Sequence, residues 1–212
     1  FNVGNTTVIY TATDIYGNTS TTSFVITVND DEAPAIAGTP ANITQTADAG
    51  QCGAVVNYTA PTSTDNCAVT SFTSTHDSGD TFAVGTTTVT YTAVDAAGNQ
   101  TTSSFTVTVT DDENPVISPT AEDQTYQRDG NEGAAYSAWI AGYGGAAATD
   151  NCGIDAWSDN STGLSDGCGA TGSASVTFTA TDDCGNASST TATFTIEDTT
   201  NPAITAASNQ TV

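Results

Sequence analysis

Phe82-Ala83-Val84-Gly85-Thr86-Thr87-Thr88-Val89-Thr90-Tyr91-Thr92-Ala93-Val94-Asp95 decides how this sequence is read. Val89, Tyr91 and Ala93 alternate with Thr88, Thr90 and Thr92, the period-two pattern of a half-buried strand. A second alternating run follows, with Phe105, Val107 and Val109 as its apolar set. Between the runs lies Asp95-x-x-Gly98-Asn99, turn chemistry that predicts a hairpin. The same phrase begins at Phe1, at a constant offset of 81 residues, with Val8, Tyr10, Ala12, Phe24, Ile26 and Val28 as its apolar set. A more divergent third copy carries Val176, Phe178 and Ala180, then Asp182, Gly185 and Asn186. Such a fixed period marks a repeat architecture.

Each copy ends in an acidic stretch before a proline: Asp30-Asp31-Glu32-Ala33-Pro34, Asp111-Asp112-Glu113-Asn114-Pro115 and Asp198-Thr199-Thr200-Asn201-Pro202. Joints placed at these prolines divide the chain into the second half of one module (1–33), two whole modules (34–114 and 115–201) and the first strand of another (202–212). The chain reads as a piece of a longer array. A unit of 80 to 90 residues, all strand with frequent turns, has the size of an immunoglobulin-like sandwich. The expected fold is therefore all-β, tandem sandwich modules in a linear rod. The best helical stretch is Ala134 to Ala141.

Composition narrows the function. Among 212 residues there is one Lys or Arg against 24 Asp plus Glu, a formal net charge of -23. That balance argues against nucleic acid, whose phosphates need cationic side chains, and against docking on anionic lipid. It suits divalent cations or cationic partners. No apolar run is long enough to span a bilayer as a helix. Five cysteines and no methionine suit an oxidising, extracellular setting. Catalysis finds little support. His76 is the lone histidine, and adjacency to Asp77 and Ser78 does not make a triad, whose members meet in space. The expectation is a non-enzyme.

Residues 34–114 resemble a hyalin repeat (HYR), an immunoglobulin-like module of extracellular proteins. The matching phrases are Pro40-Ala41-Asn42-Ile43-Thr44, Thr64-Asp65-Asn66-Cys67, Phe82 to Thr86, Tyr91 to Asp95 with Gly98-Asn99, and Phe105 to Val109. Residues 1–33 match its second half. Residues 115–201 resemble a related module of large surface proteins in Bacteroidetes, through Ala148 to Gly153, Gly167 to Gly172 and Thr181 to Asn186. The resemblance implies a spacer or adhesive segment of a cell-surface protein or fibre. Its partners would be neighbouring modules and, in a fibre, like chains. Alternatives are a module that itself binds a glycan or protein, through Trp139 and Trp157, and an accessory spacer of a secreted hydrolase. Core packing is the ordinary use of both tryptophans.

The sandwich topology also predicts a metal site. It brings the loop after the second strand, the loop between the last two strands and the incoming linker to one end. For the module at 34–114 these supply Asp65 and Asn66, Asp95 and Asn99, and Asp30, Asp31 and Glu32. For 115–201 they supply Asp150 and Asn151, Asp182 and Asn186, and Asp111, Asp112 and Glu113. Oxygen ligands without His or thiolate suit Ca2+ rather than zinc. Unit charges 4 Å apart repel by roughly 4 kcal/mol at an effective dielectric of 20, so a dication would reverse the sign of such a cluster. The Asp-Asp-Glu-x-Pro linker resembles cadherin joints, which work on this logic. For the cysteines, hyalin repeats imply a Cys52–Cys67 bridge. Cys152 pairs with Cys184 across the two loops of the joint end, with Cys168–Cys184 as the alternative. Sequence does not decide between these.

Overall fold

The computed structural model describes residues 1–165 and 171–205, and Cys168 and most of 202–212 lie outside them. By contacts the chain divides into two units, one of residues 1–46 and 53–110, the other of 47–52 and 111–212. Strands are the main regular element of both.

The first unit opens with a free-standing hairpin. Strands β1 (Gly4–Thr13) and β2 (Thr19–Val28) pair antiparallel from Gly4↔Val28 to Thr13↔Thr19. Six short strands then precede the long pair: β3 (Ala35–Ala37), β4 (Ile43–Thr46), β5 (Gly53–Val55), β6 (Thr62–Thr64), β7 (Val69–Ser74) and β8 (Thr81–Ala83). The repeated phrase forms β9 (Gly85–Asp95) and β10 (Gln100–Thr110). One sheet has the order β4-β10-β9-β7, with β4 parallel to β10, while β3–β6 and β5–β8 make the opposing layer. The alternation is realised as expected. Val89, Tyr91, Ala93, Phe105, Val107 and Val109 are all buried, against Ala54, Val56 and Phe82.

The second unit repeats this plan. Strands β11 (Val116–Ile117) and β13 (Ala148–Thr149) pair, and the main sheet runs β12 (Gln124–Gln127), β16 (Ala187–Glu197), β15 (Gly172–Asp182), β14 (Ile154–Asp159). One α-helix among the described residues, α1 (Glu132–Ala141), lies over the core and extends the helical stretch expected at 134–141. It buries Trp139 against Val176, Phe178, Ala192, Phe194 and Ile196. The Trp139 indole N–H donates to the Glu122 carbonyl at 3.3 Å, so its polar edge is satisfied. Trp157 stacks on Tyr143 with ring centroids 4.8 Å apart. Trp139 is thus a packing element, and Trp157 is half-buried.

Candidate metal centres

The Asp-x-x-Gly-Asn turn is the element that builds both centres, and it recurs with one geometry. Asp95 Oδ1 accepts from the Gly98 and Asn99 backbone N–H groups at 2.7 and 2.8 Å, and Oδ2 accepts from Asn99 Nδ2 at 2.8 Å. Asp182 does the same with Cys184 N, Asn186 N and Asn186 Nδ2, each at 2.8 Å. Asp14 makes the equivalent bonds with Tyr16 and Asn18. The glycines at 17, 98 and 185 have φ of 86°, 95° and 92°. A side chain there would be strained, which is why the turn keeps glycine.

The loops and linkers then converge. In the first unit one carboxylate oxygen each from Asp30, Asp65 and Asp95 lie within 4.8 Å of one another. In the second, Asp111, Asp150 and Asp182 do the same. Asp95 and Asp182 are 2% and 1% exposed, unusual burial for carboxylates beside other carboxylates. Asp65 and Asp150 use Oδ1 to accept the backbone N–H of Cys67 and Cys152, each at 2.8 Å. Yet Asp30 Oδ2, Asp65 Oδ2, Asp111 Oδ2 and Asn151 Oδ1 are buried with no hydrogen-bond partner. Turn formation accounts for the bonded oxygens and leaves these unexplained.

The remaining expected ligands have distinct places. Asn99 Nδ2 also donates to the Asp30 and Glu32 carbonyls at 3.0 and 3.1 Å, and Asn186 Nδ2 donates to the Asp111 carbonyl at 3.2 Å. An amide nitrogen has no lone pair for a cation, so through these contacts the two asparagines clasp linker to turn. Asn66 Nδ2 donates to Glu32 Oε2 at 2.7 Å. Glu113 accepts the Gly50 N–H through both carboxylate oxygens, at 3.0 and 3.2 Å. Asp31 and Asp112 are exposed. The acidic stretch at Asp198 differs: Arg128, the chain's single Lys or Arg, lies 3.5 Å from its carboxylate.

The disulfide is a correction. The structure joins Cys52 to Cys152, with Cα atoms 4.7 Å apart, and leaves Cys67 and Cys184 free among the described residues, outside which the Cys168–Cys184 alternative lies. Neither the Cys52–Cys67 nor the Cys152–Cys184 pairing forms. The reason is the course of the loop Ala47–Cys52, which belongs to the second unit. There Glu113 holds Gly50, and Asn151 Nδ2 donates to the Gln51 carbonyl at 2.9 Å. Cys67 faces the acidic cluster instead. Hydrogen bonding to Asp30, then burial, pushes its thiol pKa up. For Cys184 burial comes first, then the charge of Asp111. His76 is half-buried in the loop between β7 and β8, its ring tilted on Phe82 at 5.2 Å.

The turn aspartates carry a pH prediction. Burial raises the Asp182 carboxyl, but the hydrogen bonds from Asn186, Cys184 and Gly185 outweigh it and leave the pKa below its ordinary value. Asp95 is lowered by the same balance with Asn99, Gly98 and Ala97. A depressed folded-state pKa stabilises the fold above the unfolded value and loses that contribution as pH falls through the folded one. The stability gap between wild type and Asp182→Asn should therefore be constant above pH ~5 and shrink below pH ~4. Thermal melts from pH 6 to pH 2.5 measure it. A gap unchanged through that range would contradict the assignment.

Comparison with known proteins places these features in a family context. The HYR domain model matches residues 29–109. The chain is 42% identical over 113 residues to hyalin of Strongylocentrotus purpuratus, a match covering 51% of this chain and 9% of that protein. It is 44% identical over 107 residues to hyalin of Lytechinus variegatus, covering 49% of this chain and 20% of that one. The chain thus spans a small part of the relatives it matches. Among solved structures, protocadherin gamma C5 EC1-3 aligns over 90% of this chain and 77% of its own at 15% identity, with a TM-score of 0.33.

Proposed function

We propose that this chain is an extracellular, adhesion-type segment of HYR-like sandwich repeats, and that each acidic cluster binds Ca2+ to stiffen a long spacer. The carrying observation is the set of buried, unpartnered oxygens on Asp30, Asp65 and Asp111, each in a group of three converging carboxylates. An orphaned buried oxygen carries a desolvation cost that a bound dication removes. The donor set fits a hard cation: Asp30, Asp65 and Asp95 in one unit, and Asp111, Asp150 and Asp182 in the other, with Asn151 Oδ1 as a further oxygen. Calcium there would tie the linker carboxylate to the two sandwich loops that follow it. The strong acidity, the absence of a catalytic histidine arrangement and the hyalin similarity all support a structural role over an enzymatic one.

Calcium titration followed by melting tests this. A site held at 100 times its Kd gains about 2.7 kcal/mol, which for a domain near 100 residues raises the midpoint by roughly 10 °C or more. The rise should reverse with chelator, and Asp65→Asn should abolish it in the first unit alone. Midpoints that are the same with calcium and with chelator would defeat the reading.

A further inference from the structure

Asn151 stands between the second acidic cluster and the loop Ala47–Cys52. Its Nδ2 donates to the Gln51 carbonyl at 2.9 Å and to Asp111 Oδ1 at 3.3 Å. A backbone carbonyl has no proton to give, so the amide nitrogen must face it. That orientation leaves the amide oxygen without a use, and Asn151 Oδ1 is buried with no hydrogen-bond partner. Asp111, 8% exposed, has its Oδ2 buried and unpartnered as well. Both belong to the cluster in which carboxylate oxygens of Asp111, Asp150 and Asp182 lie within 4.8 Å of one another. A buried oxygen without a partner carries a desolvation cost that only a ligand can lift.

The loop sets that orientation, and a covalent bond holds the loop. Gln51 adjoins Cys52 in sequence, and Asn151 adjoins Cys152, so the Cys52–Cys152 bridge clamps the chain where carbonyl and amide meet. Cys152 also donates its backbone N–H to Asp150 Oδ1 at 2.8 Å, so the bridged residue steadies a second member of the cluster. Glu113 adds a noncovalent tie. Its carboxylate accepts the Gly50 N–H, and its own N–H donates to Asp111 Oδ1 at 3.2 Å. The Glu113–Gly50 bonds are exposed, so water competes for them, whereas it does not compete for the disulfide.

We propose that the Cys52–Cys152 bridge is a redox control on the second calcium site: it keeps the Gln51 carbonyl on the Asn151 amide, which presents the Asn151 oxygen to the cation, and its reduction weakens calcium binding there. The linkage rests on the calcium reading above. Reduction breaks the S–S bond. Two glutathione thiols supply two electrons and two protons and become one disulfide, while Cys52 and Cys152 become thiols. Groups that orient a metal ligand without touching the metal matter 10- to 100-fold in affinity, so reduction should weaken the second site about tenfold. The coupling is reciprocal, and saturating calcium should favour the disulfide by the same factor. The first cluster is the control. There Asn66 Nδ2 donates to the Glu32 side chain, and Cys67 is unbridged among the described residues.

The test is calorimetric titration of the full chain with calcium chloride, oxidised and reduced, at a temperature where near-ultraviolet circular dichroism shows both forms folded. Asp65→Asn isolates the second site, and Asp150→Asn isolates the first. On reduction the Kd of the second site should rise about tenfold, while that of the first stays the same. Asn151→Ala keeps the bridge and should weaken the second site in the oxidised chain. Reducing that variant should add little, because the oxygen that the bridge positions is already gone. A bridge that merely stabilised the fold would give effects that multiply. In glutathione buffers, saturating calcium should raise the ratio of bridged to open Cys52 and Cys152 about tenfold. Equal Kd values in the two redox states, an equal loss at both sites, or multiplying effects would overturn the linkage and leave the calcium reading standing. Absence of calcium binding in every form would sink both.

Discussion

Reduction of the Cys52–Cys152 disulfide is expected to lower the melting midpoint of the second unit by roughly 20 °C. The bridge spans a sequence separation of 100 residues. Loop-closure entropy makes a bridge of that span worth up to about 4.7 kcal/mol, the value reached when the chain between the cysteines is wholly unfolded. The loop it anchors has few other ties: Glu113 to Gly50 and Asn151 to Gln51, both polar bonds of exposed groups. Cys52→Ser and Cys152→Ser should each reproduce the effect of reductant and should not add to it. Cys67→Ser and Cys184→Ser should leave the midpoint of this chain unchanged, since neither thiol is bonded among the described residues. Calorimetry with and without reductant measures this. Equal midpoints for Cys152→Ser and wild type would show that the bridge contributes nothing.

The strands were legible in the sequence because period-two alternation is a local signal. Val89, Tyr91 and Ala93, and Val176, Phe178 and Ala180, are buried as the alternation requires. The parallel pairing of β4 with β10 was not legible. It joins residues far apart in the chain, and a four-residue strand carries no register information of its own. The helix α1 extends beyond the stretch expected for it. Its Ala-rich sequence has weak amphipathicity, and tertiary cover of the Phe178 and Phe194 rings fixes its place.

The carboxylate clusters were legible because three short motifs recur at a fixed spacing, and topology brings their loops together. The clasping role of Asn99 and Asn186 was not, since an Asn offers an oxygen and a nitrogen and only geometry decides which is used. The disulfide failed for a related reason. Cys52–Cys67 with Cys152–Cys184 gives the equivalent cysteines Cys67 and Cys152 different kinds of partner. A rule treating equivalent positions alike joins a β4–β5 loop to an Asp-Asn-Cys turn, without saying whether that turn is 65–67 or 150–152. That consistency was present in the letters. The proximity of the loop Ala47–Cys52 to Asn151 was not.

One repeated position shows how far such letters carry. Tyr10, Tyr91 and Phe178 occupy the same place in the three copies, yet Phe178→Ala should cost about 3–5 kcal/mol, whereas Tyr10→Ala should fall within about 0.5 kcal/mol of wild type. Phe178 is fully buried, with Trp139 edge-on at 5.3 Å. A Cβ on Gly144 would come within 3.1 Å of its ring, so the pocket has no slack on that side. Truncation leaves a cavity between α1 and the sheet that aromatic neighbours fill poorly, and the loss of stability grows with its volume. Tyr10 is 60% exposed and stacks only on Phe24, at 5.9 Å. Denaturant unfolding of the two variants measures the contrast. The second unit should unfold early in Phe178→Ala, while the first unit keeps its own midpoint. Equal losses at the two positions would mean that the hairpin is as fully covered as the sandwich, which the exposure of Tyr10 and Phe24 contradicts.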